Sequence, residues 1–155
     1  MSEIRIAIGC DHGAYALKDI IAAHLRENGI KVNDCGTFGP ESVNYPVYAR
    51  AVCRAVQSGE ADYGILLCTT GIGMSMAANK FRGIRAALCT NLYQAGLTRA
   101  HNNANVLVLG AGVTGEGLAL AITDKFLNTE FQGGRHAVRV NMIAEIEKEE
   151  YEEKP

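Results

Sequence analysis

Residues Tyr63 to Ser75 read Tyr-Gly-Ile-Leu-Leu-Cys-Thr-Thr-Gly-Ile-Gly-Met-Ser, and the fold is decided here. The apolar run Ile65-Leu66-Leu67 is too short for a free-standing helix and has the character of a strand buried on both faces of a parallel sheet. It stops at Cys68. Thr69, Thr70, Gly71 and Gly73 follow, and good helix formers run from Met74 to Lys80. The thiol is therefore expected where a buried strand turns into a helix. In open α/β sheets ligands collect at the carboxyl ends of strands, and the unpaired N–H groups of the next helix favour negative charge there. A lone cysteine is usually an inert buried thiol; the Thr-Thr-Gly-Ile-Gly context favours a functional one.

Outward from this segment, strand and helix alternate. Strands are expected at Ile4 to Ile8, Lys31 to Asn33, Tyr63 to Leu67, Arg85 to Cys89 and Val106 to Leu109. Helices are expected from Ala14 to Asn28, with Leu17, Ile20, Ile21 and Leu25 as the apolar stripe and Gly29 at its end, and from Pro46 to Ser58 before Gly59. Further helices follow from Asn91 to Ala100, Gly115 to Leu127 and Ala137 to Lys148. This alternation requires parallel strands with right-handed crossovers and helices on both faces. The fold class is α/β: a three-layer α/β/α Rossmann-like sandwich with a five-stranded parallel sheet. Residues 1–148 are expected to form one domain, and 149–155 a charged, frayed tail.

A formal net charge of -2 over 155 residues, with both signs interspersed, offers no broad basic surface for nucleic acid or anionic lipid. Charge interrupts the first apolar run too early for a signal peptide, and no stretch approaches membrane-spanning length. The expected location is the cytoplasm and the expected chemistry that of small molecules. Five cysteines, Cys10, Cys35, Cys53, Cys68 and Cys89, with no Cys-x-x-Cys pair, argue against a disulfide framework and a zinc site.

Gly110-Ala-Gly112-Val-Thr-Gly115 spells the dinucleotide pattern GxGxxG after a strand and before a helix. That fingerprint belongs in a βαβ unit with an acidic residue at the end of the following strand. No strand follows here, and Asp124 lies inside the preceding helix, so a nicotinamide cofactor is not expected.

The remaining polar clusters are Cys10-Asp11-His12-Gly13, Tyr45-Pro46, Cys68 to Gly73, Arg99-Ala-His101-Asn102-Asn103 and Gly133-Gly134-Arg135-His136-Ala-Val-Arg139. They fall at strand ends or helix ends and are expected to converge. Together they resemble the B-type ribose-5-phosphate isomerases, in the wider family that includes galactose-6-phosphate and allose-6-phosphate isomerases. The resemblance implies a cofactor-independent aldose–ketose isomerase with no metal, acting on a sugar phosphate through an enediolate, which needs a base, oxyanion donors and a ring-opening group. It implies Cys68 as the base, Thr70 and the N–H groups of Gly71, Ile72 and Gly73 as the enediolate cradle with Thr69 beside them, and Asp11 as a proton shuttle. By the same likeness His101 opens the ring, and His12, Tyr45, Asn102, Arg135 and Arg139 bind substrate. Arg135 and Arg139 stand one turn apart at a helix start, where positive charge is disfavoured unless an anion is bound. The likeness further implies a homodimer or a dimer of dimers, with His101 and the arginines supplied partly across the interface.

This chain departs from the family pattern at four places. Thr69 stands where the family commonly has glycine, Asn44 and Asn103 where aspartate is usual, and Gly112 where an arginine commonly contacts the phosphate. Two alternatives stay open on these residues: isomerisation of another sugar, phosphorylated or free, and a catalytically silent sugar-phosphate-binding protein.

Overall fold

The computed structural model describes residues 3–152. Its elements are β1 (Arg5–Cys10), α1 (Tyr15–Glu27), β2 (Lys31–Asp34), α2 (Tyr45–Gln57), β3 (Tyr63–Cys68), α3 (Ile72–Ala78), β4 (Ala86–Leu88), α4 (Leu92–Asn102), β5 (Val106–Gly110), α5 (Glu116–Leu127) and α6 (Arg135–Tyr151). All strand pairs are parallel, in the order β2-β1-β3-β5-β4. This is the expected α/β sandwich. Among the described residues no helix is long and apolar enough to cross a membrane.

Strand alternation divides the core between the two faces of the sheet. Ile6, Ile8, Ile65, Leu67, Leu107 and Leu109 face α1, α4 and α5, where Phe126 is fully buried. Ala7, Leu66, Cys68, Val106 and Val108 face α2 and α3. Each fully buried Ile or Leu contributes about 1.5–3 kcal/mol of transfer free energy. The left-handed conformations that close α1 and α2 fall on Gly29 and Gly59, with φ of 77° and 80°.

Lys18 of α1 is also fully buried. Its Nζ lies 2.9 and 2.8 Å from the two oxygens of Asp34, 3.0 Å from Asp19 Oδ1 and 4.3 Å from the centre of the Phe38 ring. Burial pulls the pKa of this ammonium down, and the bonds to Asp34 and Asp19 more than offset it, leaving it raised. The pair pins the loop after β2, whose Gly36 carbonyl accepts the Cys10 N–H at 2.6 Å.

The last helix is different in character. None of the residues of α6 is buried, and Val138, Met142, Ile143 and Ile146 are each more than half exposed, at 62%, 55%, 52% and 59%. It leaves the end of α4, passes the edge strand and is tied to the turn before β4, where Glu147 Oε1 accepts the Gly83 N–H at 2.9 Å and Arg82 donates to the Tyr151 carbonyl. The tail boundary expected at residue 149 thus falls inside a helix that continues to Tyr151; residues 153–155 lie outside the described residues.

Candidate active site

The carboxyl ends of β1, β3 and β5 meet at one edge of the sheet. Cys68 closes β3, is 5% exposed, and its Sγ accepts the Gly71 N–H at 3.1 Å. Gly71 is held at φ 79°, and a Cβ there would come within 2.5 Å of Leu88 Cδ1, so the turn demands glycine on both counts. The sulfurs of Cys10, Cys35 and Cys53 instead donate to carbonyls, of Thr37, Asn33 and Ala78. Burial pushes the thiols of Cys10 and Cys53 up to about 12 and that of Cys89 up to about 11, which keeps them protonated. Among the described cysteines, Cys68 is the one whose sulfur accepts a backbone N–H.

Further polar groups lie on the turns and helix starts at the same edge. The Thr70 hydroxyl oxygen accepts the N–H of Ile72, the first residue of α3, at 3.3 Å. The ring of Tyr45 lies against Gly73, where a Cβ would sit 2.7 Å from the ring. Asp11 is 8% exposed, and its Oδ1 accepts the Gly13 N–H at 3.0 Å. His12 Nδ1 accepts the Val43 N–H at 3.1 Å, which assigns the proton of the neutral ring to Nε2. Thr69 is exposed between Gly13 and Gly112.

The glycines of GxGxxG serve this arrangement. A Cβ on Gly110 would lie 2.5 Å from the Thr70 carbonyl oxygen, and the N–H groups of Ala111 and Gly112 donate to the carbonyls of Cys68 and Thr69 at 2.9 and 2.8 Å. The motif lets the turn after β5 press against the Cys68 loop. The sequence signal was visible; its purpose was not, because the partner loop is distant along the chain.

Within one chain the polar clusters form two groups, one at each edge of the sheet. Helix α4 starts at the carboxyl edge, where β4 ends, and must return to the amino edge to feed the parallel β5. His101 and Asn102, at its far end, are therefore removed from Cys68 by roughly the helix length, about 15 Å. Arg135 and Arg139 gather with them, because the Gln132 N–H donates to the Ala100 carbonyl and delivers α6 there. The His101 and His136 rings stack with centres 4.0 Å apart and planes 8° from parallel. Burial, then the charges of His101, Arg135 and Arg139, hold the pKa of His136 below its ordinary value.

Sequence reasoning overlooked what supports this end of α4. Arg99 is buried, donating to Asn103 Oδ1 at 3.0 Å, the Ala104 carbonyl at 2.6 Å and the Tyr63 hydroxyl at 3.1 Å. Arg85 Nε reaches the Asn103 carbonyl at 2.9 Å. Asn103 takes the left-handed conformation, φ 48°, that ends the helix just after His101 and Asn102.

A parallel sheet whose carboxyl edge carries a thiol beside a glycine-rich turn, with Asp11 on the turn after the neighbouring β1, has the layout in which open α/β sheets bind small molecules. Residues 6–143 match the family model described as Ribose/Galactose Isomerase. The chain is 51% identical over 143 residues to ribose-5-phosphate isomerase B of Escherichia coli strain K12, covering 92% of this chain and 96% of that one. It is 43% identical over 149 residues to the D-erythrulose-4-phosphate isomerase of Pectobacterium atrosepticum, covering 95% and 97%. The solved structure of Clostridium thermocellum ribose-5-phosphate isomerase B superposes with a TM-score of 0.94 at 56% identity, covering 95% of this chain and 99% of that one. The chain belongs to the ribose/galactose isomerase family, and it is an aldose–ketose isomerase.

Proposed function

We propose that this enzyme interconverts ribose 5-phosphate and ribulose 5-phosphate without a cofactor. The observation that carries the mechanism is the Gly71 N–H aimed at Cys68 Sγ, 3.1 Å away, at the mouth of a strand-end loop. The Cys68 thiolate takes the proton from C2 of the open-chain aldose. The C–H electrons form the C1–C2 double bond, and the carbonyl electrons move onto O1, where the Thr70 hydroxyl and the Gly73 N–H in the first turn of α3 hold the developing charge. Asp11 carries a proton from O2 to O1, and the Cys68 thiol returns its proton to C1, leaving the ketone at C2. His12 Nε2 faces the phosphate, and Tyr45 and Thr69 contact the sugar. A reactive free thiol suits a reducing cytoplasm, and all five cysteines are free.

In this reading the site is completed by a second copy of the chain. His101, which protonates the ring oxygen to open the furanose, Asn102, and the phosphate-binding Arg135 and Arg139 come from the partner. Two features support it: these residues gather at the edge of the sheet away from Cys68, and they share it with α6, whose Val138, Met142, Ile143 and Ile146 have no cover in one chain. Burying such a stripe against a second copy is the ordinary logic of a two-fold dimer.

A four-carbon sugar phosphate is the second reading, favoured by the relative named for D-erythrulose 4-phosphate. Assaying interconversion of ribose 5-phosphate, D-erythrulose 4-phosphate, hexose 6-phosphates and free sugars separates the readings. The highest kcat/KM is expected with ribose 5-phosphate, and a higher value for any other sugar would replace it.

A further inference from the structure

We propose that Thr69 sets the length of sugar phosphate this enzyme accepts, its side chain filling a slot between Gly13 and Gly112 beside the reactive thiol. The proposal rests on the reaction above and adds a specificity element to it. Thr69 follows Cys68 directly, at the exposed mouth of the site. A Cβ built on Gly13 would come within 2.3 Å of Thr69 Oγ1, and one built on Gly112 within 3.1 Å of Thr69 Cγ2. The hydroxyl therefore lies over one glycine and the methyl over the other. Neither glycine needs a positive φ, so sterics rather than backbone conformation demand the absence of a side chain. The turns that carry these glycines flank β3 on its two sides, and the backbone of one is fixed to Thr69 itself, Gly112 N–H donating to its carbonyl at 2.8 Å.

The consequence concerns substrate length. With C1 and C2 at Cys68 and the phosphate at His12, the sugar chain runs past the Thr69 hydroxyl, because His12 and Gly13 are consecutive. A β-branched side chain whose hydroxyl and methyl each lie over a glycine has few alternative rotamers. An additional carbon between C2 and the phosphate must find space where the Thr69 side chain sits, whereas glycine at 69 leaves the slot open. A pocket distinguishes chains that differ by one methylene by about 10–200-fold.

The test is a set of variants read by selectivity, the ratio of kcat/KM for ribose 5-phosphate to that for a hexose 6-phosphate. Thr69→Gly is expected to shift this ratio toward the hexose by about 10–200-fold, while Thr69→Val, which keeps the bulk and removes the hydroxyl, holds the native ratio. A folded Thr69→Gly enzyme with the native ratio overturns the proposal, as does a Thr69→Val enzyme that loses discrimination. Thr69→Ala reads the same question if the glycine variant does not fold. The slot has its own check, independent of turnover: Gly13→Ala should lower the melting temperature when Thr69 is present and be tolerated alongside Thr69→Gly. Equal losses in both backgrounds would overturn the slot. Absence of any pentose phosphate turnover in the native enzyme would instead sink the proposed reaction, with the Gly13 and Thr69 coupling still readable by melting.

Discussion

The imidazole of His101 lies flat on that of His136, with ring centres 4.0 Å apart and planes 8° from parallel. Two stacked imidazoles resist becoming charged together, and Arg135 and Arg139 add to the penalty. Burial first, and then the charges of His101, Arg135 and Arg139, lower the pKa of His136, so the unfolded chain binds its proton at a higher pH than the folded one. Stability contributed by the neutral ring is present above the ordinary histidine pKa, about 6.5, and is lost as pH falls below it. His136→Gln should therefore flatten the acid side of the melting-temperature profile, the variant gaining on the native protein as pH drops below that value. Parallel profiles would remove His136 from the acid response.

Cys68→Ala should abolish isomerisation with little change in melting temperature, because alanine fits a strand end that is already tightly enclosed. Loss of a general base costs about 10²–10⁴-fold or more. Exchange of the C2 proton of the substrate with deuterated water should vanish with turnover. A variant that retains exchange would take the base role away from this thiol.

Lys18→Met should destabilise strongly. The substitution leaves Asp34 and Asp19 without their ammonium and frees the loop that supports His12 through Val43. Removing one partner of a buried ion pair costs about 3–5 kcal/mol. Urea unfolding measures this directly, and a loss below 1 kcal/mol, roughly the surface-pair range, would mean that the pair is screened like an exposed one.

Gly112→Arg should not by itself lower KM for ribose 5-phosphate, although it restores the guanidinium common in the family. The new Cβ would stand 3.1 Å from both Thr69 Cγ2 and the Thr69 carbonyl oxygen. Combined with Thr69→Gly, the arginine gains the space to reach the phosphate, and a charge-assisted bond is worth about 1.5–3 kcal/mol, or about 10–100-fold in affinity. Steady-state kinetics of the single and double variants decide this. A lowered KM in the single variant would show that Thr69 yields freely.

Much of this fold was legible along the chain because each signal is local. Short apolar runs such as Ile65-Leu66-Leu67, helical stripes such as Leu17, Ile21 and Leu25, and glycines at positive φ after α1 and α2 mark their elements without reference to anything distant. The Cys68 to Gly73 turn was legible for the same reason. The two-edge layout was harder, since strand ends and helix ends look alike as punctuation. Separating them required following α4 back across the sheet, which puts His101 at the amino edge. The contact of Thr69 with Gly13 and Gly112 was invisible because three turns create it. Lys18 carries no signal of its own along the chain, and only the loop after β2 makes it a buried charge.

Subunit complementation tests the two-chain site most directly. Cys68→Ala and His101→Asn each disable ribose 5-phosphate conversion, one at the base and the other at ring opening. When the two variant chains are co-expressed and allowed to mix, half of the dimers are hybrids. Each hybrid holds one site with both an intact Cys68 and an intact His101, so about a quarter of native activity should return for an isologous two-fold dimer. If the preparation stays as inactive as either variant alone although hybrid dimers are detected by mass, the thiol and the imidazole act within one chain and the composite site is wrong.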